Sequence, residues 1–125
     1  MTAPEPRPSF DSWLADIKAT SDVSGTGMYL MHNGVVRAFS RDGRPVTGMV
    51  LHVDRERLAE ILEIACLMEG VTHVKAWVNE GELTVGDDII CVLVGGDIRD
   101  HVFEALQALV RMIKTEVVTE EELRP

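Results

Sequence analysis

Apolar positions change spacing several times along the chain, and each change predicts a change of element. Phe10, Trp13, Leu14 and Ile17 recur at intervals of three and four, which predicts a short amphipathic helix over about 9–18. The polar, glycine-containing run Thr20–Gly27 reads as a loop. Gly27–Phe39 is strand-like, with a bulge or bend expected at Asn33-Gly34. Ser40–Pro45 is a turn around the hairpin signal Asp42-Gly43, and Val46–Val53 returns as a strand, so these two strands are expected to pair antiparallel.

The strongest helical pattern covers 54–70. Asp54 suits the N-cap, Glu56 lies in the first turn, and Leu58, Ile61, Leu62, Ala65 and Met68 form one stripe that Gly70 ends. The following strand alternates, with Val74, Ala76 and Val78 on its core face and Trp77 on the more polar face, under a partner or another layer. Gly81–Asp88 reads as a short strand and turn. Ile89–Gly96 is continuously apolar, as suits a central strand. Asp97 is placed to cap a last helix over 98–113, whose stripe is Val102, Leu106, Leu109, Val110 and Ile113 with Phe103 beside it. The order α-β-β-α-β-β-α puts the chain in the α+β class. Prolines at 4, 6 and 8 mark residues 1–8 as a flexible N-terminal tail. Residues 9–115 form a single domain and 116–125 an acidic C-terminal segment.

Composition narrows the function classes. A length of 125 residues, 46% of them hydrophobic, fits one domain with a core of its own. The net charge of -9 disfavours a nucleic-acid partner, which would need a basic face, but says nothing against a small basic pocket. No 18-residue apolar run or leader-like segment occurs, so the chain is expected to be soluble and cytoplasmic, with no membrane partner. Cys66 and Cys91 both fall in apolar runs and read as buried free thiols. The four histidines show no ligand spacing, and no metal or cofactor is expected. Asp87 and Asp88 read as turn residues before a strand; an acid–base pair needs two carboxylates, but nothing in the pattern demands one.

The basic residues carry the candidate chemistry. Arg99 stands in the first turn of a helix, where free N–H groups favour an anion and a cation is mildly disfavoured. Arg37 ends a strand close to Arg41 and Arg44. Lys114 closes the last helix, where a cation is also favourable simply as a cap. By local physics each has a structural reading as well as a functional one.

Taken together, these stretches resemble a known family. Gly27–Arg37 resembles the pattern G-x-V-x-x-F-x-G-x-V-R, most closely in its final Gly34-Val35-Val36-Arg37. Arg57–Ala65 resembles a helix written L-x-x-I-x-x-E-A. GELTVGDDIICVLV resembles G-x-L-x-x-G-D-x-x-V-x-V, and the helix from Asp97 to Glu116 resembles H-R-x-x-A-F-x-A-x-x-x-x-x-D-x-L-K. These are patterns of the large, catalytic subunit of molybdopterin synthase, and the resemblance covers roughly 9–121. It implies an α/β hammerhead-like fold that forms a homodimer. It also implies a small ubiquitin-like sulfur-carrier partner whose thiocarboxylated C-terminal glycine enters the site, in a heterotetramer. The implied reaction is sulfur transfer to a cyclic pyranopterin monophosphate in molybdenum cofactor biosynthesis.

Carried over residue by residue, the resemblance makes Arg37 a ligand for phosphate or pterin, with Arg41 beside it. Arg99 becomes the arginine of the H-R pair, and Lys114 the first of two functional lysines, so that Arg37, Arg99 and Lys114 would share one anion pocket. Arg and Lys suit such a pocket because they bind phosphate and stabilise an acyl-transfer intermediate. The sequence also departs from the family. Ile98 replaces the histidine before Arg99, Val78-Asn79 replaces an H-R pair, Glu121 stands at the spacing of the second lysine, and the Val53–Leu58 connection is short. Lys75 and Arg111 are candidates to replace the missing lysine. The departures make a non-catalytic relative, binding a pterin, a phosphate or a ubiquitin-like tail, the alternative to a sulfurtransferase.

Overall fold

The computed structural model describes residues 6–125; residues 1–5, part of the expected N-terminal tail, lie outside the described residues. In chain order the elements are α1 (Phe10–Thr20), β1 (Met28–Val35), β2 (Gly48–Val53), α2 (Arg55–Cys66), β3 (Val71–Val78), β4 (Gly81–Thr84), β5 (Asp88–Gly96), α3 (Arg99–Glu116) and β6 (Val118–Leu123).

The strands form two three-stranded sheets, ordered β1-β5-β3 and β4-β2-β6. β5 is central in the first, antiparallel to both neighbours, which agrees with its unbroken apolar sequence. Its Ile90, Val92 and Val94 face α3, and Val102, Ala105, Leu109 and Ile113 close the core between them, all buried. α2 packs beside α3 and over β3 through Leu58, Ile61 and Ala65. Fully burying the Val, Leu and Ile side chains of this seam contributes about 1.5–3 kcal/mol each.

One sequence expectation needs correction. The expected β1–β2 hairpin does not form, because β1 pairs with β5 while β2 pairs with β4 and β6. Of the hairpin only a Phe39–Pro45 bridge remains, around a turn held by Ser40, Asp42 and Arg44. Hydrogen bonding to Ser40 and Arg44 holds the Asp42 carboxyl far below its usual range. The acidic C-terminal segment contains β6, paired with β2 from Gly48↔Leu123 to Val53↔Val118. The expected irregularity in β1 is present one step on, between Gly34 and Val35.

The outer face of the first sheet is covered by the chain itself. Lys75 pairs with Asp16 of α1 at 3.1 Å, Lys18 lies over the Tyr29 ring, and Arg7 pairs with Asp88 at 2.6 Å. Leu93 and Cys91 are fully buried there, and Trp77, on the same face, is 8% exposed, so another layer rather than open surface meets it. Cys91 is a buried thiol as expected, whereas Cys66 is exposed at the end of α2. Among the described residues no helix is long and apolar enough to cross a membrane.

Candidate functional site

A pocket of about 320 Å³ opens where the end of β1, the 37–47 loop, the end of α3 and β6 converge. Arg37, Arg41 and Lys114 line it, together with Glu120 and Glu122. Its apolar wall is made of Val35, Phe39, Val46, Met49 and Ile89.

Each basic side chain is placed by a specific local structure. Val36 is buried, its N–H donating to the Asp87 carbonyl and its own carbonyl accepting from Gly86 N–H, so the alternation of an extended chain turns Arg37 outward. Arg41 sits in the turn braced by Ser40, Asp42 and Arg44. Arg124 reaches back to that turn, donating to the carbonyls of Arg44 and Pro45 at 3.3 and 3.0 Å. Lys114 is exposed in the last turn of α3, where its charge complements the helix dipole. That end of α3 is held by Arg57, which bridges Glu60 at 2.7 Å and Glu116 at 2.6 Å, and by Asp54 N–H donating to the Val117 carbonyl. No ion pair neutralises Arg37, Arg41, Lys114 or Glu120 among the described residues, whereas Glu122 stands 3.5 Å from Arg124.

The two carboxylates follow from the register of β6. Glu122 lies opposite Met49 and Glu120 opposite Leu51, so both share the inner face of their sheet with two buried residues. Glu121 lies opposite Val50 and turns to the other face. The acidic residue expected at the second lysine's place, Glu121, is therefore not the one in the pocket. Strand alternation could have identified Glu120 and Glu122, but three consecutive glutamates read as a solvated tail rather than as a strand.

His32, on β1, is a second residue that sequence reasoning missed. Its Nε2 is buried without a hydrogen-bond partner. Burial first, and then the nearby Lys114 charge, lower its pKa below the usual histidine value, which favours the neutral ring.

Arg99 does not join this pocket within one chain. It opens α3 while Lys114 lies in its last turn, roughly 22 Å away along the axis. Of the expected cluster of Arg37, Arg99 and Lys114, one chain brings Arg37 and Lys114 together, with Arg41 beside them, and leaves Arg99 at the far end of α3. Lys75 is engaged with Asp16, and Arg111 is absent from the pocket lining. Asp97 also differs from expectation. The N-cap is Ile98, without a side-chain cap bond, while the Asp97 carboxylate accepts from Ile98 N–H and meets His101 Nδ1 at 2.8 Å. Asp87 does act as turn chemistry, accepting from the N–H and hydroxyl of Thr84.

Chemically the pocket can bind an anion. Arg37 and Arg41 offer forked N–H donors, and Lys114 supplies a mobile point charge. Among the described residues no group of three histidine, cysteine or acidic side chains is arranged to hold a metal ion.

Comparison with known proteins agrees with this architecture. Molybdopterin synthase from Staphylococcus aureus superposes with a TM-score of 0.76 at 17% identity, over 98% of this chain and 88% of that one. The molybdopterin cofactor biosynthesis protein E of Burkholderia multivorans gives 0.74 at 19% identity, over 98% and 85%. A complex of subunits 1 and 2 of the molybdopterin-converting factor from Helicobacter pylori gives 0.67 at 14% identity, over 90% and 73%. Comparison with curated protein sequences gives no match. The family model described as MoaE protein matches residues 10–116, nearly the whole described chain, and on that match the chain belongs to the MoaE family.

Proposed function

We propose that the chain acts in molybdopterin biosynthesis as the subunit that receives sulfur from a thiocarboxylated ubiquitin-like partner and directs it to a cyclic pyranopterin monophosphate. The observation that carries this reading is the convergence of Arg37, Arg41 and Lys114 on one pocket in a chain of the MoaE family. Arg37 and Arg41 hold the phosphate through charge-assisted hydrogen bonds. Lys114, on a flexible stem, faces the thiocarboxylate and stabilises the oxyanion that develops at its carbonyl carbon. The reading places the protein in the cytoplasm.

The distance along α3 bears on assembly. Arg99 can act at this pocket only if it comes from a second copy, so the proposal includes a homodimer in which Arg99 of the partner subunit completes the site. The Helicobacter pylori structure is a complex of two different subunits, which supports a small-subunit partner here as well.

A second reading, a non-catalytic relative that binds a pterin or a ubiquitin-like tail, is favoured by Glu120 and Glu122 in the pocket and by the missing second lysine. A reconstituted conversion assay separates the two. With purified chain, thiocarboxylated small subunit and cyclic pyranopterin monophosphate, dithiolene pterin forms, and Lys114→Ala lowers the rate by about 100-fold or more. Absence of product alongside measurable pterin or partner binding favours the second reading.

A further inference from the structure

The acidic side of the pocket is the part that the proposed function leaves unused. Positions 118, 120 and 122 face inward from β6, yet only Val118 follows the apolar pattern that such a face requires. The other two place carboxylates in the same pocket as Arg37, Arg41 and Lys114, whose remaining lining is apolar. A site for a bare anion gains nothing from two negative charges, which weaken the field the cations create. Inward charges also guard sheet edges, and β6 is an edge strand. That role, however, does not require the two glutamates to share a cavity with three cations and leave those cations unneutralised.

We infer that the pocket reads a ligand from two ends: Arg37, Arg41 and Lys114 hold an anionic group, while Glu120 and Glu122 accept hydrogen bonds from an N–H-rich, amidine-like edge. Ionised carboxylates are acceptors only, so they select for donors and reject acceptor edges. An aminopyrimidinone ring presents adjacent N–H groups of this kind. Met49 and Phe39 supply the apolar wall against which a flat ring would lie. The inference rests on the proposed function and assigns the carboxylates a specificity role within it. They contact the ring edge and not the sulfur-transfer atoms, so they are specificity-determining residues.

The test is direct binding of three probes to the full chain: inorganic phosphate, neopterin and neopterin monophosphate. It compares the parent with the double variant Glu120→Gln and Glu122→Gln, with Glu121→Gln as the outward-facing control. In the double variant, phosphate binding is expected to hold or tighten. Neopterin affinity should fall, and the preference for neopterin monophosphate over phosphate should drop by about tenfold or more. Glu121→Gln should leave all three unchanged. Parallel tightening of all probes in the double variant, or an unchanged preference, overturns the inference while the basic pocket stands. An equal loss of preference in Glu121→Gln also overturns it, because the effect would then be one of net charge. A parent chain that binds none of the probes overturns the proposed function and this inference together.

Discussion

His101 shows how single side chains hold the end of α3 that lies away from the pocket. Its Nδ1 meets Asp97 at 2.8 Å and its Nε2 lies 3.5 Å from Glu69, with Asp100 also nearby in charge. The hydrogen bond to Asp97 leads in raising the His101 pKa above 6.5, and the same bond leads in holding the Asp97 carboxyl below 3.8. The signs set a window. The histidine's contribution to stability is full below 6.5 and is lost as pH rises through its folded value. The aspartate's is full above 3.8 and is lost as pH falls through its folded value. Both are present together between those limits. Asp97→Asn should therefore lower Tm more at pH 5.5 than at pH 8.5, and should shift the His101 titration, followed by NMR, to lower pH. An unshifted titration would show that the contact does not persist in solution. The site-level pairings were poorly legible in the sequence because they depend on geometry between segments. Asp97 reads as a cap by position, yet Gly70, at φ +78, brings the preceding turn close enough that a Cβ there would strike both Asp97 and His101.

At the scale of elements, periodicity placed the helices and the central strand well, because their apolar stripes report burial directly. β5, α2 and the core stripe of α3 were legible for this reason. Partnership between strands was not legible. A turn signal at Asp42-Gly43 argues for a local hairpin, but β2 instead forms its ladders with β4 and β6, which come from far along the chain. β6 itself was hidden because its exposed sequence, Val118–Leu123, carries its strand character in the pairing rather than in its residues. The helix ends offer a separate test. Ile98 is the N-cap of α3, is 53% exposed, and provides no side-chain acceptor for the free N–H groups of the first turn. Ile98→Asp supplies that acceptor and a charge that suits the helix dipole. It should stabilise the chain by about 0.5–1 kcal/mol, read from the urea midpoint at constant m. A lower midpoint would mean that the apolar Ile98 side chain covers more than the free chain shows.

For the molecule as a whole, a net charge of -9 is compatible with an anion-binding pocket because Arg37, Arg41 and Lys114 converge there and outnumber the two carboxylates, Glu120 and Glu122, that share it. Those three could be singled out by position and by family resemblance, but the sequence could not show that α3 separates Arg99 from Lys114. A helix of 18 residues is rigid over this length, so no side-chain rearrangement closes a gap of roughly 22 Å. Arg99 therefore either serves a pocket on another copy or has no part in the anion site. In a two-fold dimer each site would take Lys114 from one chain and Arg99 from the other. Arg99→Ala and Lys114→Ala homodimers would then both lack a complete site. A mixed dimer would carry one intact site, built from the Arg99 of the Lys114→Ala chain and the Lys114 of the Arg99→Ala chain. Mixing the two inactive variants after subunit exchange should restore about a quarter of the parent's pterin conversion, since half the dimers are mixed and each of those has one good site. If Arg99 has no part in the site, Arg99→Ala alone keeps its activity and the mixture only reflects dilution. If both residues served the same site from one chain, mixing would restore nothing, an outcome the helix length already opposes.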